Sequence, residues 1–152
     1  MNGIEILKYG VFGYSLLVGL IVFTISDDLR NPKIFRKCLI ASIISFIIGI
    51  LFEFADIFTI EKGMTLLVMS ISIIYLGYYH LLRKLFKVWK GTDPYITSVS
   101  STIGGSPIGG LWTKYPRNRK IMWTDFLFSF AQVLIPIFTI VGLMIMIIEM
   151  NK

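Results

Sequence analysis

Four apolar runs, each about as long as one helical bilayer crossing of roughly 20 residues, restrict what this chain can fold into more than any other feature. They lie at about 4–25, 38–58, 64–82 and 121–148. Inside hydrocarbon the backbone must satisfy its own polar groups, so each run is predicted to be a helix. The first run has neither a basic segment before it nor a small-residue cleavage site after it, and reads as a retained crossing rather than a signal peptide. Only 16% of the 152 residues are charged and 55% are hydrophobic, whereas a soluble domain is about a quarter charged. The expected fold class is therefore an all-α integral membrane protein, a single domain over residues 1–152 built as a bundle of four transmembrane helices. Little chain is left for an extramembrane catalytic unit.

Charge sets the orientation. Arg30, Lys33, Arg36 and Lys37 follow the first run, and Arg83, Lys84, Lys87, Lys90, Lys114, Arg117, Arg119 and Lys120 lie between the third and fourth. Twelve of the 15 basic residues thus fall on one side, and only Lys8, Lys62 and Lys152 on the other. The positive-inside rule then puts both loops in the cytoplasm and both termini outside, with a bacterial inner membrane as the expected location. The net charge of +6 is read as membrane-surface charge, and no nucleic-acid partner is expected.

The connections differ in character. Residues 59–63 make a tight hairpin between the second and third spans. The third span continues beyond the bilayer, because Leu81, Leu82, Leu85, Phe86 and Trp89 keep helical spacing with lysines and Arg83 between them, until Gly91 ends the helix. Asp93 and Pro94 suit the start of another helix, while the YITSVS that follows alternates like a strand; both readings stand. Residues 97–111 are small, polar and glycine-rich, a loop expected to fold only where a partner or a neighbouring subunit organises it. Residues 83–120 together form a basic platform. The two halves share no motif, which argues against an inverted-repeat transporter.

Two polar stripes could carry chemistry. Ser42, Ser45, Gly49, Glu53 and Asp56 recur every three or four residues on the second span, as do Asp125, Ser129, Gln132, Pro136 and Thr139 on the fourth. Glu53 falls within the hydrocarbon towards the outer side, where a carboxylate needs a partner, a proton or water. Glu53 and Asp56 are candidates for a proton or cation site. A snorkelling or protonated packing carboxyl is the weightier alternative. Pro136 leaves the carbonyl of Gln132 without its usual donor, so a kink is expected there. Asp125, Ser129, Gln132 and Pro136 suit a polar pore wall, yet interhelical packing explains them at less cost. Gly10 with Gly13, and Ser45 with Gly49, allow close helix approach within one chain or between subunits.

Other chemistry finds little support. One cysteine, Cys38, and one histidine, His80, exclude an intrachain disulfide and argue against a zinc site, and no cofactor is expected. His80 and the tyrosines beside it read as an aromatic belt. No nucleophile has a base near it in sequence, so the chain is not read as an enzyme. The run GGSPIGG lacks the Lys-Ser/Thr ending of a phosphate loop.

Two functions remain. In the first, a small homo-oligomer docks a cytosolic protein or anionic phospholipid through Arg83, Lys84, Lys87, Lys90, Lys114, Arg117, Arg119 and Lys120, as an anchor or sensor in, for example, bacterial antiviral defence or toxin immunity. In the second, the subunits form a cation-selective ion channel lined by spans two and four.

Overall fold

The computed structural model describes residues 3–55, 57–58, 61–97, 101–106, 110–112 and 119–152. They form four long helices, α1 (Gly3–Thr24), α2 (Pro32–Phe54), α3 (Met64–Lys90) and α4 (Trp123–Met150), with a short 3-10 turn at Ser26–Arg30. No strand occurs among the described residues, and all four helices are long and apolar enough to cross a membrane. Residues 93–97 take neither the helix nor the strand that their sequence allowed.

The helix ends follow caps rather than hydropathy. α2 begins six residues before the apolar run does. Asn31 accepts a hydrogen bond from the Lys33 backbone N–H at 3.0 Å and Pro32 occupies the first turn, so the helix starts among its basic residues and reaches lipid later. It stops at Phe54, short of the predicted 58; Phe58 instead folds back, buried against Phe52 and Phe12. α3 runs unbroken to Lys90 and closes on Gly91, whose φ of +68° suits a residue without Cβ. At 27 residues it is about 40 Å long, well beyond the hydrocarbon thickness.

α3 is the hub. It is the most buried helix, and its backbone runs close to each of the other three, whereas the backbone of α4 comes close to α3 alone. Small residues set these contacts. Ser42, Ser45 and Gly49 are buried on α2, and a Cβ on Gly49 would lie 2.7 Å from the Cβ of Met69. On α1 the closest approach is made by Ser15, whose hydroxyl donates to the Val68 carbonyl at 2.5 Å, and by Gly19 beside Ile71 and Ser72. Gly10 and Gly13, singled out in the sequence, face open space. The core joins Val22, Leu76, Tyr79, Leu82, Phe86 and Phe128 near the basic end.

α4 is fastened at three heights, to α3 itself only in the middle. Asp125 and Ser129 hold its start, the Thr139 hydroxyl donates to the Tyr78 hydroxyl at 2.9 Å in the middle, and Asn151 exchanges hydrogen bonds with both backbone groups of Lys62 at the far end. Pro136 is buried within an uninterrupted helix.

Candidate functional site: a latched platform at the basic end

The basic end is organised by acids. Three aspartates, in three separate segments, each collect donors from elsewhere in the chain, which brings the first loop, the turn after α3 and the approach to α4 into one polar cluster.

Asp28, in the turn between α1 and α2, is fully buried. Its carboxylate accepts hydrogen bonds from the backbone N–H groups of Leu111 at 2.8 Å and Trp112 at 2.9 Å. Gly110 permits the approach, because a Cβ there would come within 2.5 Å of the Asp28 Oδ1. The tip of the long loop is thus latched across 83 residues of sequence. The side chains of Leu111 and Trp112 point the other way, 74% and 64% exposed.

Asp125, also fully buried, sits in the first turn of α4. It accepts from the Met122 N–H at 2.8 Å, from the Tyr95 N–H at 3.0 Å and from the Arg119 guanidinium at 2.9 Å. The first of these satisfies a helix-end donor, and its negative charge at the N-terminus complements the helix dipole. One turn on, Ser129 donates to the Asp125 carbonyl and accepts from the Thr97 N–H, both at 2.8 Å.

Asp93 lies between two arginines, 2.9 Å from Arg83 and 3.2 Å from Arg30. Partial burial raises the pKa of its carboxyl, but the hydrogen bond and charge of Arg83, together with the charges of Arg30 and Lys87, outweigh this and hold it below its ordinary value of 3.8. Arg119 also donates to the Asp93 carbonyl. Buried Tyr95 completes the cluster: the guanidiniums of Arg30 and Arg119 lie 4.0 and 4.2 Å from its ring centroid.

The predicted site residues are therefore divided. Among the docking candidates, Arg83 and Arg119 are drawn into internal ion pairs, whereas Lys84, Lys87, Lys90 and Lys120 are exposed. Lys114 and Arg117 lie outside the described residues. Among the pore candidates, Asp125 and Ser129 belong to the polar cluster, and Gln132 and Pro136 are buried in α4. Glu53 is at the opposite end, where its carboxylate accepts the Gly63 N–H at the start of α3; Asp56 lies outside the described residues. Glu53 also borders an open groove of about 450 Å³ with Ile50, Phe54, Lys62 and Leu66. No three metal-ligating side chains converge among the described residues.

The glycine-rich loop was expected to need an outside partner to fold. Its described residues are held by this chain instead, through the Asp28 latch and through backbone hydrogen bonds of 2.9 Å from Gly104 N–H to the Ile121 carbonyl and from Ile121 N–H to the Gly105 carbonyl. Asp28, Tyr95 and Arg30 were missed by sequence reasoning. The available signal was the presence of acids within otherwise basic loops, each a natural partner for an arginine. No protein family, curated protein or solved structure matches the chain.

Proposed function

We propose that the chain is a membrane-anchored docking protein, in which four spans carry a preorganised platform at the cytosolic side that receives a soluble acidic partner. The observation that carries this reading is the Asp28 latch. A buried carboxylate fixes the loop tip through its backbone and leaves Leu111 and Trp112 projecting outwards. An exposed tryptophan on a backbone that is already ordered is the arrangement of an interface anchor, since little conformational entropy remains to be lost on binding. Exposed lysines on α3 and Lys120 add a basic surround that steers an acidic partner.

The channel reading draws less support from the same geometry. Ser42, Ser45 and Gly49 are buried, Gly49 against Met69 of α3, and Asp125 is closed off by Arg119, Met122, Tyr95 and Ser129. Assembly into a homo-oligomer remains part of the proposal, and the open face of α1 at Gly10 and Gly13 is available for it.

The test is the environment of Trp112. The other two tryptophans, Trp89 and Trp123, are replaced by phenylalanine and the chain is placed in vesicles. Docking requires Trp112 fluorescence to be quenched by aqueous iodide and not by lipids brominated on their tails. Quenching by the brominated lipids would make Trp112 a bilayer anchor and overturn the proposal.

A further inference from the structure

The part of α3 that runs past the bilayer carries two edges. One is apolar and exposed: Leu81, Leu85, Val88 and Trp89, at steps that place them along one side of the helix. The other is cationic. His80, Arg83, Lys84 and Lys87, with Asp93, line a shallow cavity of about 130 Å³. Asp93 offsets Arg83 and Arg30, with which it is paired, and leaves the two lysines in excess. Lys84 and Lys87 make no ion pair among the described residues. The ring of Phe35 from α2 lies 5.7 Å from that of His80 and backs the cavity with an apolar wall.

We infer that this cavity binds the phosphate of an anionic phospholipid, with the acyl chains lying along the apolar edge of α3. Arg30, Arg83 and Arg119 are held by aspartates, whereas Lys84, Lys87 and His80 stay exposed beside the apolar edge. Lysine suits this task, as a mobile point charge meeting a phosphate. The apolar edge supplies what a free phosphate could not use, since an exposed row of Leu, Val and Trp beside a bilayer is best covered by lipid tails. Lys84 and Lys87 also belong to the basic surround of the docking proposal, but the ligand here is a lipid and its test does not involve Trp112.

The test is native mass spectrometry of the full chain in detergent, with phosphatidylglycerol and phosphatidylcholine of identical acyl chains added in equal amounts. The wild type is expected to retain phosphatidylglycerol preferentially. H80Q/K84Q/K87Q should lose that preference by about thirtyfold, as expected when two lysine charges worth roughly 1 kcal/mol each are removed. K33Q/R36Q/K37Q, which removes charge from α2 at the same end, should keep it, and both variants should melt like the wild type. Three results would overturn the inference: no preference in the wild type, equal loss in the two variants, or displacement of the lipid by millimolar glycerol phosphate or by polyglutamate. Displacement by glycerol phosphate would assign the cavity to a soluble phosphate, and displacement by polyglutamate to an acidic protein.

Discussion

At the scale of single residues, the basic end depends on a few carboxylates that each do several things. Asp28→Asn keeps the size of the side chain but turns one acceptor into a donor facing a backbone N–H. A donor left without an acceptor costs about 1–3 kcal/mol, so a lower Tm is expected together with increased protease sensitivity near Trp112. Gly110→Ala should produce the same phenotype from the other side of the contact, because its new Cβ would meet the Asp28 carboxylate. The two substitutions together should cost less than the sum of their separate effects; strict additivity would show that the latch is not one interaction. Asp93 gives a pH signature. A carboxyl held below its ordinary pKa contributes stability that is complete above the unfolded value of 3.8 and is lost as pH falls through the lower folded value. Thermal melts of the wild type should therefore drop below about pH 4, and Asp93→Asn should flatten that part of the profile. An unchanged acid limb in D93N would remove Asp93 from the account.

At the scale of helices, α3 matters most, since every other helix leans on it. The α2–α3 contact rests on the absence of a side chain at Gly49. Adding a methyl group there forces Met69 aside, and overpacking of this kind costs about 1–3 kcal/mol. Gly10→Ala is the matched control, because nothing lies within 4 Å of the added atom. Thermal unfolding in detergent should separate the two, and equal melting temperatures would mean that α2 and α3 do not approach as closely as described. α4 has no second helix to rest on, so its polar fastenings count for more than usual. Asn151→Ala removes the exchange with Lys62 and should raise hydrogen exchange in the last turn of α4 while leaving its start, held by Asp125, protected.

At the scale of the whole molecule, the two ends are built differently. One end closes with the connection from α2 to α3 and with Asn151, which caps α4; the other carries a folded polar cluster reaching over the helix ends. The proposed orientation puts that cluster in the cytosol. A reporter active only outside the membrane should then work when fused after Lys152 and fail when inserted at Ser106, and the reverse result would place the platform on the other side. Charge reversal of Lys84, Lys87, Lys90 and Lys120 to glutamate is the cleaner probe of the surface, because these lysines are exposed. Reversal of Arg119 would instead break a pair with fully buried Asp125, and removing one partner of a buried pair costs about 3–5 kcal/mol. Folding loss and binding loss could then not be told apart.

The helical class and the number of spans were legible in the residues themselves, because hydropathy over about 20 positions is a local property and lipid leaves the backbone one local solution. The continuation of α3 to Gly91 was legible for the same reason, since helical spacing and a terminating glycine are both read along one segment. The helix starts were less so: Asn31 and Pro32 outvote hydropathy because a cap acts on the first turn, whatever solvent surrounds it. What only the tertiary structure decided is which charges turn inwards. Arg83 and Lys84 are neighbours in a basic run and indistinguishable by composition, yet one meets Asp93 and the other remains exposed. Whether an aspartate such as Asp28 is a solvated loop residue or a buried latch depends on a backbone more than eighty residues away coming within hydrogen-bond reach. Such a contact leaves no periodicity in the sequence, and it arises only once the helices have packed.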